Sequence, residues 1–340
     1  MSGPLYVPVL PARRHAARAY GSLPPDARRA VLPLWVLPPR TLAAEALTGA
    51  VGKDLRRVTT VQRHRPAWLD APFADAEQIR ALGPLLSDTS RDSPLRPVTG
   101  PGRPAPQQAL ALETAHHAGD GLGVRVPVPR EWDDGETGKV RELLSRARGE
   151  DVDLLLDLGA VLPERTEAGK EALRALADLV PLAPWRTVVT IGGGIPRVGE
   201  EMLMPGLHET PRTEWRLWRE LAAGRAAPAP LGYGDYGIQP VDALDRDPQD
   251  GNARSRWGML RCTTDETYVF TRTLNGREAH NREAARRLLA LPGFRGPAAG
   301  PAETWLRDCA EGTGGAGNHE MWLRTGTGQH LTYVARCLRA

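Results

Sequence analysis

Apolar residues recur along this chain in short dense runs, most of them followed by a stretch in which apolar positions return every three or four residues. The runs are Leu5–Leu10, Val31–Leu37, Ala67–Asp70, Arg96–Thr99, Gly123–Val128, Val152–Leu158, Thr187–Ile191 and Leu231–Ile238. A short β-branched or leucine-rich run suits a parallel strand buried on both faces, and the longer spacing suits an amphipathic helix. Eight strand-then-helix units predict an α/β fold whose strands close into a TIM-like (β/α)8 barrel. Such a barrel keeps its chemistry at the C-terminal ends of its strands.

Pro11 ends the first run, and Arg13–Tyr20 begins the first helix. Pro24-Pro25-Asp26 breaks the chain before the second strand. Pro38-Pro39 stops that strand, and Thr41 is placed to cap a helix running through Leu55. Helices are predicted over Ala74–Leu86, Gln107–Ala118, Thr166–Leu179 and Thr213–Ala223. The rhythm is weakest between Ser87 and Pro106, rich in Ser, Asp, Pro and Gly, where a short fourth strand is placed at Pro97–Gly100. An open or irregular barrel would show itself there. After Pro240 the pattern changes. Trp257–Cys262 and Thr267–Thr273 read as antiparallel strands around a Thr-Asp-Glu turn, Arg277–Ala290 as a helix and Leu331–Leu338 as a closing helix or strand. The expected organisation is a barrel over residues 1–240 and a C-terminal α+β extension over 241–340. The extension packs near the barrel mouth and forms one structural unit with it.

Composition narrows the function classes. The 340 residues are 41% apolar, enough for a large core, and three Phe against nine Trp leave most of that core to Leu, Val and Ala. Forty-four basic and 41 acidic residues are nearly balanced and not segregated, which disfavours nucleic acid as a partner. Cys262, Cys309 and Cys337 show no metal-ligand spacing, and the eight His include no HxH or HExxH arrangement. No apolar stretch reaches a membrane span and prolines interrupt the N-terminus, so a cytoplasmic location without membrane association is expected. No GxGxxG, Walker, GxSxG or kinase signature is present.

The strand ends select candidates for chemistry. Asp70 and Asp157 each follow an apolar strand and could serve as acid and base or hold a divalent ion, or each could cap the next helix. Arg125 sits among valines, and if its face is the lumen it would meet Asp157 or an anionic substrate; on the outer face it would snorkel past a helix. Thr190 and the run Gly192-Gly193-Gly194 end the seventh strand, where barrels often bind phosphate through backbone amides; a flexible turn is the other reading. Tyr233, Asp235 and Tyr236 lie among glycines at the eighth strand end and would line the mouth, or Asp235 would hydrogen-bond its own loop backbone. Asn252, Arg254 and Arg256 follow in a polar loop that could clamp an anion over the mouth, or they form a solvated basic loop, the more common meaning of such a cluster. His330 could act as a base, or it packs and hydrogen-bonds locally. The expectation is catalysis by Asp70, Asp157, Tyr233 and Asp235. Arg125, Thr190, Gly193, Tyr236, Asn252, Arg254 and His330 would bind substrate.

Several of these segments resemble the bacterial and phage group called the beta protein family. They are Tyr6-Val7-Pro8-Val9-Leu10, the Asp70 strand end, Leu155-Leu156-Asp157 and Gly232-Tyr233-Gly234-Asp235-Tyr236. The most specific is the closing Trp322-Leu323-Arg324-Thr325-Gly326-Thr327-Gly328-Gln329-His330-Leu331-Thr332-Tyr333-Val334. The resemblance covers Tyr6 to Arg339 and implies a phage-related, defence-related or biosynthetic-cluster role. Relatives often end strand two with an acid; here the end is Val36-Leu37-Pro38, so any chemistry resting on that acid is missing. Two functions follow. One is a barrel enzyme, such as a peptide-modifying enzyme, hydrolase or lyase, using carboxylate and tyrosine acid–base chemistry with arginine anion binding on a small molecule or peptide. It carries no nucleotide motif, and a divalent metal is compatible but not required. The other is a non-catalytic module that binds a peptide or a partner protein.

Overall fold

The computed structural model describes residues 5–89, 93–147, 149–224, 230–247 and 257–339. Its strands are β1 Tyr6–Pro11, β2 Leu34–Val36, β3 Ala67–Asp70, β4 Leu95–Thr99, β5 Leu122–Pro127, β6 Val152–Ala160, β7 Thr187–Gly193, β8 His208–Pro211, β9 Gly232–Asp235, β10 Trp257–Thr263 and β11 Thr267–Leu274. Its helices are α1 Arg14–Gly21, α2 Pro25–Ala30, α3 Ala44–Gln62, α4 Ala76–Thr89, α5 Ala105–Ala118, α6 Asp134–Arg146, α7 Ala168–Leu179, α8 Thr213–Ala223, α9 Glu278–Leu289, α10 Pro301–Glu311 and α11 His319–Cys337.

Eight parallel strands close a barrel in the order β1-β2-β3-β4-β5-β6-β7-β9. The doubtful fourth unit is a full member: Trp68 pairs with Arg96, and Val98 with Gly123. Parallel register sorts the side chains into two layers. Val7, Val9, Leu34, Val36, Trp68, Val98, Leu155, Val189 and Ile191 fill the barrel interior. Tyr6, Leu10, Trp35, Val124, Val126, Leu154, Leu156 and Tyr233 face the surrounding helices. Gly123 makes room inside, since a Cβ there would lie 2.8 Å from Val98 and 2.9 Å from the Trp68 ring. At the N-terminal end of the interior, Asp153 accepts from Trp68 Nε1 at 2.9 Å and from Arg186 Nε at 2.9 Å, with Arg96 at 3.5 Å. This buried ion cluster plugs the barrel floor.

The extension does not simply cap the mouth. Helix α11 packs against β1, α1 and α2, and its Leu331, Val334 and Ala335 join the main core, so it takes the place of the helix that follows the eighth barrel strand. Between β9 and α11 the chain inserts β10, β11, α9 and α10. A three-stranded sheet, β10-β11-β8, draws its third strand from between β7 and α8, with His208–Pro211 antiparallel to Thr267–Phe270.

Several local expectations shift. The cap of α3 is Ala43, not Thr41, because the Thr41 amide donates to Asp247 at 2.7 Å, and the helix runs on to Gln62. Strand two shortens to three residues, Val31 keeping only an isolated bridge to Tyr6. The closing segment is a helix beginning at His319, where Asn318 accepts the Met321 amide at 3.0 Å. Helix α6 went unpredicted although Asp133 caps it through the Glu136 amide at 2.9 Å; the Asp-x-x-Glu spacing signals this in sequence. Strand β8 is polar, and its pairing comes from a distant partner.

Candidate active site at the barrel mouth

Alternation along β5 and β6 turns Arg125 and Asp157 inward, on the same face as Leu155. Asp70 closes β3 on that face, level with Val36 of β2. The three meet at the C-terminal end of the interior. Arg125 Nη1 donates to Asp70 Oδ2 at 2.8 Å, and its Nε donates to Asp157 Oδ2 at 2.9 Å. Its Nη2 donates to the Tyr236 hydroxyl at 2.7 Å, and that hydroxyl donates to Asp157 at 2.7 Å. Arg103 adds a second cation to Asp70 Oδ2 at 3.0 Å. Beyond Asp157 the β6 pairing shifts, and Gly159, at φ +63°, brings its amide to Asp157 Oδ1 at 2.9 Å.

Burial works against the Arg125 charge, but Tyr236, Asp157 and Asp70 outweigh it and hold the guanidinium well above its ordinary pKa. Tyr236 is pushed up, mainly by burial, and stays a neutral donor. Asp157 and Tyr236 retain 9% and 6% exposure, whereas Asp70 is fully buried. One acceptor is left over: Asp70 Oδ1 is buried without a hydrogen-bond partner among the described residues.

Tyr233 and Asp235 do not join this group. In β9 the lumen positions are Gly232 and Gly234, paired with Val189 and Ile191, so Tyr233 and Asp235 face outward. Tyr6 donates to Asp235 at 3.2 Å and His330 Nε2 lies 3.0 Å from the same carboxylate, while Thr263 meets His330 Nδ1 at 2.8 Å. Beside it, Glu214 accepts from Tyr268 at 2.6 Å and from Tyr233 at 3.2 Å, with Arg212 3.8 Å away. Burial would raise the Asp235 carboxyl, but His330, the Gly237 amide and Arg212 outweigh it and hold its pKa below the usual range. Burial raises Glu214. The bonds of His330 to Tyr6 and Asp235, of Tyr268 to Glu214 and of Arg212 to the Thr264 carbonyl join the extension to the barrel, and every side chain of the network is at most 3% exposed. Of the residues expected to act at the mouth, Asp70, Arg125 and Asp157 meet there, whereas Tyr233 and Asp235 are sealed in an outer network.

Thr190 pairs with Tyr233 and shares its outward face. Its hydroxyl is buried without a partner among the described residues. Gly193 lies under other side chains, since a Cβ there would stand 2.5 Å from Val241 and 3.3 Å from Tyr236. Close packing thus accounts for this glycine. Asn252, Arg254 and Arg256 lie outside the described residues. Sequence reasoning missed Arg103, hidden in the irregular stretch before α5, and the Arg212–Glu214 pair at the start of α8. An ionisable pair opening a Trp-bearing helix was the available signal. Among the described residues no three His, Cys, Asp or Glu side chains cluster as a metal cage requires, and the Arg125 guanidinium stands between the two mouth carboxylates.

Eight parallel strands alternating with helices around an interior that carries an Asp–Arg–Asp–Tyr network at its C-terminal end define a (β/α)8-barrel protein. A model of the Beta protein family matches residues 6–336, and the chain belongs to that family. No curated protein matches the chain.

Proposed function

We propose that this protein is a barrel enzyme acting on a small molecule or peptide at its mouth through Asp70, Arg125, Asp157 and Tyr236. The observation that carries the reading is the orphaned Asp70 Oδ1, a buried carboxylate oxygen left without a partner inside a network that satisfies its other members. Buried acceptors are rarely abandoned, and those that are often await a ligand or water. Asp70 Oδ1 is the group placed to accept a proton. Arg125, held in place by Asp157 and Tyr236, is the cation placed to stabilise negative charge on a reacting oxygen. The sealed Tyr233, Asp235 and His330 serve in this reading as a clamp on the barrel, not as groups that touch substrate. Membership of the Beta protein family supports a phage-related, defence-related or biosynthetic-cluster setting.

The test is a mass-spectrometric turnover screen of the full chain against peptide and metabolite libraries, repeated with Asp70→Asn and Asp157→Asn. Product formation by the parent should fall at least a hundredfold in Asp70→Asn at a temperature where circular dichroism shows the variant to be folded. Undiminished turnover in that variant overturns the reading. The alternative of a non-catalytic binding module draws on the mutual saturation of Arg125, Asp157 and Tyr236. Ligand-induced stabilisation of parent and variant alike, without turnover, favours it.

A further inference from the structure

A cavity of about 120 Å³ lies outside the barrel, between α1, α10 and α11. Its floor is made by small residues, Ala19, Ala302 and Gly328, and Trp305 and Met321 form apolar walls. Arg324 and Thr325 line it as well. None of these takes part in the mouth network.

The polar groups of the cavity are not equally engaged. The Ser22 hydroxyl donates to the Arg18 carbonyl at 2.8 Å, and Thr332 donates to the Gly328 carbonyl at 2.8 Å. Thr325 is 4% exposed, yet among the described residues its hydroxyl has no hydrogen-bond partner. Arg324 is partly buried and likewise has neither an acid nor a carbonyl against it among the described residues. The acid one turn earlier, Glu320, is placed at i−4 where helix geometry favours an ion pair with Arg324. It turns to α1 instead, lying 3.3 Å from Arg14 and 3.5 Å from Arg18. A guanidinium and a hydroxyl donor, adjacent in sequence, are thus left at a cavity of mixed polar and apolar lining, without a hydrogen-bond partner among the described residues.

We propose that this cavity binds a small monocarboxylate with an aromatic or branched apolar body. The carboxylate pairs with Arg324, whose planar fork matches it in two hydrogen bonds, and accepts from Thr325. The apolar body lies against Trp305 and Met321. A single guanidinium balances a single charge, which favours a carboxylate over a phosphate dianion. At roughly 10–15 Å³ for each water-sized group, the space suits a ligand of about ten heavy atoms.

The probe is 4-fluorophenylacetate, titrated into the full chain by fluorine NMR, with 4-fluorophenylacetamide and inorganic phosphate as parallel arms. Saturable binding of the acid is expected, with the amide and phosphate at least tenfold weaker. Arg324→Gln should weaken the acid at least tenfold and remove its advantage over the amide, and Thr325→Val should weaken it severalfold. Circular dichroism confirms that each variant is folded. The proposal is overturned if the folded parent shows no saturable binding of the acid up to 20-fold above ~1 mM, the scale of a weak small-ligand complex. It is equally overturned if Arg324→Gln binds the acid as well as the parent does, or if phosphate binds more tightly than the acid.

Discussion

Arg125 is the residue on which the mouth depends, because it is the one cation shared by Asp70, Asp157 and the Tyr236 hydroxyl. Removing one partner from a buried ion cluster leaves uncompensated charge, a loss of about 3–5 kcal/mol. Arg125→Met should therefore lower unfolding stability by that order in urea titrations, although it is apolar and of similar length. His15 governs acid sensitivity. Burial, followed by the charges of Arg13, His319 and Arg261, pushes its pKa from the ordinary 6.5 to about 3. Between those values the unfolded chain binds a proton that the folded chain refuses, so stability is lost as pH falls below 6.5. The slope from this site approaches about 1.4 kcal/mol per pH unit. His15→Asn should flatten the pH dependence between 6 and 4, and an unchanged slope would assign it to other groups. At this scale the sequence reveals Asp70, Asp157 and Arg125, because charges among apolar strand residues stand out and alternation assigns them a face. It misassigns Tyr233 and Asp235 because their alternating neighbours are glycines, which carry no hydrophobic cue to which face is the lumen.

Among the elements, α11 ties the molecule together. Its Leu331 and Val334 complete the barrel core, His330 meets Asp235, and Trp322 fills the core of the extension at 1% exposure. The Trp322 ring packs so tightly on Gly258 that a Cβ there would approach it to 2.5 Å, and truncating the ring empties that packed space. Trp322→Ala should cost about 3–5 kcal/mol, read as a drop in the denaturant midpoint with little change in slope. The α6 cap was legible in the Asp133…Glu136 spacing. Strand β8 was not, because His208-Glu209-Thr210-Pro211 shows no apolar alternation and owes its extended form to pairing with β11.

Across the whole molecule, barrel and extension share a sheet and a buried polar network. β8 departs from the chain between barrel elements yet pairs with β11, and Tyr6 of the first strand reaches His330 of the last helix at 3.1 Å. Unfolding should therefore be one event. Far-ultraviolet circular dichroism and tryptophan fluorescence should give coincident denaturation curves, whereas separated midpoints would show two independent units. The sequence alone determined the repeated strand–helix rhythm, the barrel class and the carboxylates at its strand ends, while closure at the fourth strand came from the structure. Rhythm, class and carboxylate positions follow from short-range periodicity, which every parallel βα unit must satisfy to bury both faces of its strand. The tertiary structure alone decided which polar residues meet. Closure set Asp70 beside Arg125 across β4, sealed Asp235 under α11, and left Arg324 and Thr325 at a cavity between three helices. Contacts between segments tens to hundreds of residues apart depend on strand stagger and helix placement, and no local pattern records either.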